Sequence, residues 1–191
     1  MSNRENYAPG AAAGAEVRKE GDTWTLVLVR ELRHPATKVW QALTDPAQLR
    51  EWAPFDADRN LAATGPVKLS TVRAPSPHVS ETSVKRAEAP RLLEYSWGGN
   101  DIRWELSPLA NGTRLTLWTN IDRRFVSMGA AGWHICFDVL DRFLAGHPIG
   151  RIVAGEAMKF EGWQRLNAEY AKQFGIEGPS WPPRGPQSPT M

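Results

Sequence analysis

The sequence predicts an α+β fold in which a curved antiparallel sheet is covered by a long amphipathic helix. Three observations carry that prediction. Residues 65–119 fall into short β-prone runs parted by turn residues, and the clearest of these runs are apolar on alternate positions only. Residues 128–145 follow with an apolar stripe at helical spacing. A lone strand and two proline-led short helices precede both.

Taken in order, Thr23 to Arg33 places Trp24, Leu26, Leu28 and Leu32 on one face and Val27 and Val29 on the other. It reads as a long first strand, buried on much of both sides. His34-Pro35 stops it, and proline at the first helical position suits Ala36 to Thr44, where Val39, Trp40 and Leu43 share a side. Asp45-Pro46 repeats the device, with an N-cap carboxylate, a proline, and a short helix bearing Leu49 and Trp52.

The strand runs are Val67 to Val72, Val79 to Ala87, Arg91 to Trp97, Asp101 to Ser107 and Thr113 to Thr119, an antiparallel meander by their spacing. Gly98-Gly99-Asn100 is a tight hairpin turn of residues that tolerate positive φ. Leu93, Tyr95 and Trp97 share a face, as do Ile102, Trp104 and Leu106, and Leu115 with Leu117; Glu94, Arg103 and Thr116 point the other way. Something must cover the oily side. Met128 to Ala145 supplies the cover, with Gly132, Trp133, Cys136, Phe137, Leu140, Phe143 and Leu144 on one stripe. His134, Asp138, Asp141 and Arg142 gather opposite, and Gly146 stands at the C-cap. A second helix is expected over Ala157 to Phe174.

The division expected is a flexible leader over 1–21, one domain over 22–175 and a Pro-rich, extended or disordered tail over 176–191. The leader's Ala11-Ala12-Ala13-Gly14-Ala15 is too short and too weakly apolar for an export signal. No run approaches a membrane span. Lys plus Arg total 23 against 21 Asp plus Glu, so a net charge of +2 gives nucleic-acid binding no support. A single cysteine excludes an intramolecular disulfide framework and any multi-cysteine metal site. The expected setting is cytoplasmic.

The stretch from Arg30 through Pro46, with Leu49 and Trp52 after it, resembles the opening of the SRPBCC (START/Bet v 1-like) superfamily. Within that superfamily it is similar to Activator of Hsp90 ATPase homologue 1 C-terminal-like (AHSA1) domains. Arg91 to Trp97, Gly112 to Leu117 and Ala131 to His134 agree with this. The resemblance covers Trp24 to Phe174 and implies the helix-grip fold with a cavity between sheet and long helix. It also brings in a chaperone ATPase as a partner, and a polyketide cyclase-like enzyme as a further class. Activity does not travel with a fold.

The nine tryptophans serve either as packing or as cavity wall. The cavity reading assigns Tyr95, Trp97, Trp104, Leu117, Trp133, Cys136, Phe137 and Leu140 to the wall and a small apolar molecule to the space. Cys136 on the oily stripe reads as an inert structural thiol. His34, His78, His134 and His147 lack metal-ligand spacing, and no phosphate-binding glycine loop is present, so no cofactor is expected. His34 and His147 read as surface residues, and His134 with Asp138 as a solvated i, i+4 pair. Glu94 alternates to the wrong face, which leaves Tyr95 as the weak catalytic candidate.

Overall fold

In the computed structural model, which describes residues 4–76 and 78–176, the first strand is not the lone one expected. β1 (Ala15–Glu20) pairs antiparallel with β2 (Thr23–Leu32) through the turn at Gly21-Asp22. The expected flexible leader is therefore structured from residue 4 onward. Gly14 sets its course. Its φ of +72° and a Cβ position only 2.5 Å from Val29 O leave room for glycine alone, and the Val29 amide donates to Gly14 O at 2.7 Å. Sequence pattern missed this because β1, AEVRKE, buries only Ala15 and is held by its ladder rather than by an oily face.

Both proline corners form. α1 (Ala36–Thr44) starts after Pro35, and α2 (Pro46–Trp52) is capped by Asp45, which accepts from the Ala47 amide at 2.9 Å. The Trp52 indole donates to Ala42 O at 2.9 Å and so fixes the two helices to each other.

The meander divides into two sheets. β3 (Phe55–Ala57), β4 (Gly65–Thr71) and β5 (His78–Val84) form a three-stranded sheet. β6 (Arg86–Glu88), β7 (Leu92–Trp97), β8 (Asn100–Leu109) and β9 (Gly112–Asn120) join the first two strands in a curved six-stranded sheet ordered β1-β2-β9-β8-β7-β6. The expected single strand Val79 to Ala87 changes sheets at Lys85, whose amide donates to Glu94 O at 2.8 Å. Gly98 and Gly99, at φ +59° and +83°, make the expected hairpin turn.

α3 (Val126–Leu144) crosses the oily side of the large sheet, entered through a 3-10 turn at Arg123–Phe125. It ends in a Schellman cap: His147 N donates to Arg142 O and Gly146 N to Phe143 O, with Gly146 at φ +82°. The expected last helix is two helices, α4 (Ala154–Lys159) and α5 (Glu161–Gln173), because Phe160 takes extended backbone at φ −79°, ψ 125°. Of the expected Pro-rich tail, all but Ile176 lies outside the described residues. This α+β architecture is that of a helix-grip fold.

Candidate functional site

The space enclosed between sheet and α3 is smaller and displaced from where the sequence put it. Trp104, in the middle of β8, is fully buried, and its ring meets Trp52 edge-on at 5.9 Å, Trp133 edge-on at 5.6 Å and Phe137 at 5.9 Å. Phe55 closes on Tyr95 at 6.1 Å and on Trp97 at 5.2 Å. Two residues from the proline-led helices and β3, Trp52 and Phe55, thus fill the centre of the predicted chamber. Tyr95, Trp104, Leu117, Phe137 and Leu140 are packed interior and do not line the apolar pocket.

What remains open is a pocket of about 270 Å³ at one flank of α3. Trp97, Trp133 and Cys136 of the expected wall line it. The other contributors were not foreseen. Met128, Gly129 and Gly132 come from α3; Ile152, Val153, Ala154, Ala157 and Met158 from the approach to α4 and α4 itself; Trp163 from α5. Pro54, Ile121 and Phe125 complete it, Phe125 being, among the described residues, one of two large apolar side chains left well exposed. The legible signal was Gly132, a glycine inside the apolar stripe that leaves a notch in the helix face; at Gly129 the space is taken by Ile121 Cδ1, 2.7 Å from where a Cβ would stand. At Gly132 a Cβ would meet only Trp163 Nε1, 3.9 Å away.

α4 is a short wall with one buried residue, Ala157, and it is held mainly from outside. Glu156 forms ion pairs with Arg4 and with Arg73. Both arginines also donate to Arg151 O, at 3.1 and 2.9 Å. Arg151 itself is buried and donates to Arg50 O and Asp56 Oδ1, each at 2.7 Å. The N-terminal segment is thus part of the structure that keeps the pocket in shape.

Electrostatically the pocket is quiet. Every lining side chain is apolar or aromatic apart from the Cys136 thiol, whose pKa burial pushes up to about 12. Tyr95 Oη accepts from Trp104 Nε1 at 2.9 Å, and burial raises its pKa well above the ordinary tyrosine range. The catalytic candidate read from the sequence is therefore a protonated interior hydroxyl. Among the described residues no cluster of His, Cys, Asp or Glu is arranged to hold a metal ion.

The far side of α3, expected to be solvated, is covered instead. His134 is 4% exposed. Its Nδ1 lies within hydrogen-bond distance of Tyr170 Oη at 2.7 Å, and Tyr170 Oη also lies 3.0 Å from Ala13 O. Asp138 accepts from Tyr7 Oη at 2.6 Å and pairs with Arg30, while His134 Nε2 stands 3.7 Å away. Burial lowers the His134 pKa. His34, expected at the surface, has a largely covered side chain 3.1 Å from Asp141. The leader and α5 account for the covering of His134, since neither was placed over α3 by pattern alone, while His34 is turned toward Asp141 of α3.

Comparison with known proteins agrees with this architecture. A search of curated proteins found no match. Among solved structures, a conserved protein of unknown function from Enterococcus faecalis is similar at 18% identity and a TM-score of 0.65, covering 86% of this chain and 92% of its own. CalU16 from Micromonospora echinospora is similar at 19% identity and TM-score 0.59, covering 88% and 97%. An AHSA1-like protein from Aeromonas hydrophila gives 16% and 0.54, covering 64% and 92%. At these identities the likeness is one of fold. A family profile described as polyketide cyclase / dehydrase and lipid transport matches residues 23–147, more than half of the sequence. The chain therefore belongs to that family, within the SRPBCC superfamily.

Proposed function

We propose that the protein binds a small apolar molecule in the pocket between α3, α4 and the Trp97 end of the sheet. The observation that carries this reading is the lining: about 270 Å³ of space walled by aromatic, aliphatic and glycine residues, with no ionisable side chain but a thiol of raised pKa. A cavity of roughly 150 Å³ takes one benzene ring, so this one suits a molecule on the order of ten carbons. Binding here is favoured over catalysis because no proton-transfer group faces the space; Tyr95 is packed elsewhere. The alternative of a chaperone-ATPase activator draws support only from likeness of fold to an AHSA1-like protein.

Trp97, Trp133 and Trp163 make the test direct, since an occupant lies against all three. N-phenyl-1-naphthylamine should quench tryptophan emission saturably at one equivalent. Native mass spectrometry of the purified protein should show a retained small molecule. Quenching that is linear in dye, with no bound mass, would rule the carrier reading out.

A further inference from the structure

Of the indole N–H groups near the pocket, those of Trp97, Trp52 and Trp104 are partnered, while Trp133 and Trp163 in the wall have no acceptor among the described residues, and Trp163 is the one whose position a notch in α3 fixes. Trp97 donates to Thr71 Oγ1 at 3.1 Å, and Trp52 and Trp104 donate to Ala42 O and Tyr95 Oη at 2.9 Å each. Trp163 is 2% exposed, yet its Nε1–H has no acceptor among the described residues. Nor is it sealed off, as the unpartnered donors of Trp118 and Arg151 are. Gly132 locates it. A Cβ there would lie 3.9 Å from Trp163 Nε1 and within 4 Å of nothing else, and both residues line the pocket. The N–H therefore emerges in the wall at the notch left by the missing side chain of Gly132.

A buried donor without a partner is costly, and the cost falls on whatever occupies the pocket. A pure hydrocarbon would strip solvent from this N–H and return nothing. An oxygen placed at the notch would restore the bond. Anionic groups fare worse, because no lysine or arginine side chain lines the space to offset the loss of hydration. We propose that the pocket selects neutral apolar molecules carrying one acceptor oxygen, of the ketone, ester or ether class, and that Trp163 Nε1–H donates to that oxygen. The proposal rests on the ligand-binding reading above and adds to it the polarity and placement of one group.

Two probes of matched shape test it: 2-acetylnaphthalene, with a carbonyl, and 2-isopropenylnaphthalene, with a methylene in its place. Each is titrated against the wild type and Trp163→Phe by tryptophan quenching. The wild type should prefer the ketone roughly fivefold, the worth of one net hydrogen bond, and the variant should show no preference. In ¹⁵N-labelled wild type the Trp163 indole resonance should move downfield with the ketone only, a readout that stands even if the variant fails to fold. Equal affinities with an unmoved indole overturn the acceptor proposal while leaving the pocket reading intact. Failure of both probes to saturate overturns the pocket reading itself, and this proposal with it.

Discussion

Replacing Gly132 by leucine fills the pocket from within a rigid helix, and its effect on stability can be worked out separately from its effect on binding. Glycine inside a helix costs about 0.8–1 kcal/mol relative to alanine, most of which leucine recovers. Burying the new side chain contributes about 1.5–3 kcal/mol as an upper figure. Against this, the isobutyl group covers Trp163 Nε1, and an unpaired buried donor costs about 1–3 kcal/mol. No backbone stands in the way, since the new Cβ meets only that indole nitrogen at 3.9 Å. The terms sum to between about −1 and +3 kcal/mol with a centre near +1 kcal/mol, a central melting shift of about 2–4 °C for a chain of this length. Dye affinity should meanwhile fall at least tenfold, because the side chain and the ligand compete for one space of about 270 Å³. Thermal unfolding by circular dichroism and dye titration on the same preparation separate the two effects. Unchanged affinity would place the ligand elsewhere. A stability loss beyond about 3 kcal/mol would mean the space does not exist.

Tyr95→Phe should cost about 1–3 kcal/mol by leaving Trp104 Nε1 without its acceptor, and should leave dye affinity unchanged because Tyr95 lies outside the pocket. Urea unfolding and dye titration check the two halves, and a shifted affinity contradicts the assignment. Folding stability should decline as the pH falls through the ordinary histidine value of 6.5. Burial lowers the folded His134 pKa, so the unfolded chain takes up a proton that the folded chain resists. His134→Gln should flatten that decline in urea midpoints measured across the window, and an equal decline in both proteins refutes the assignment. With its pKa near 12, native Cys136 should resist iodoacetamide at pH 8 and react fully in denaturant. Prompt stoichiometric labelling of the native protein would contradict the thiol's environment.

The elements that pattern foretold are those whose stability is written locally. Asp45-Pro46 caps and starts a helix within three residues, Gly98-Gly99 turns a hairpin within two, and alternation in β7 and β8 puts Tyr95 and Trp104 inward regardless of what covers them. Long-range decisions were not legible. Whether Trp104 borders space or packing depends on Trp52, some fifty residues away, arriving edge-on at 5.9 Å. His134 reads as solvated until Tyr170 and Ala13 cover it. β1 alternates apolar with polar only at Ala15 and Val17 before Lys19 breaks the pattern, too short a run to read, so its ladder with β2 reveals it. The pocket was misplaced for the same reason: six of its fifteen lining residues come from the stretch 152–163 around α4 and the start of α5, whose docking no periodicity encodes.

That division of the wall has a corollary for engineering. The region recognised as common property of the family stops at residue 147, whereas Ile152, Val153, Ala154, Ala157, Met158 and Trp163 all come afterwards, and Arg4, which braces Glu156, comes before residue 23. The matched part supplies a floor and one side of the pocket; the segments outside it supply the rest. On the ligand-binding proposal, the choice of occupant can therefore be changed by rewriting residues 148–173, without disturbing the sheet or its spanning helix. Grafting residues 148–173 onto a relative should transplant the choice of guest along with them.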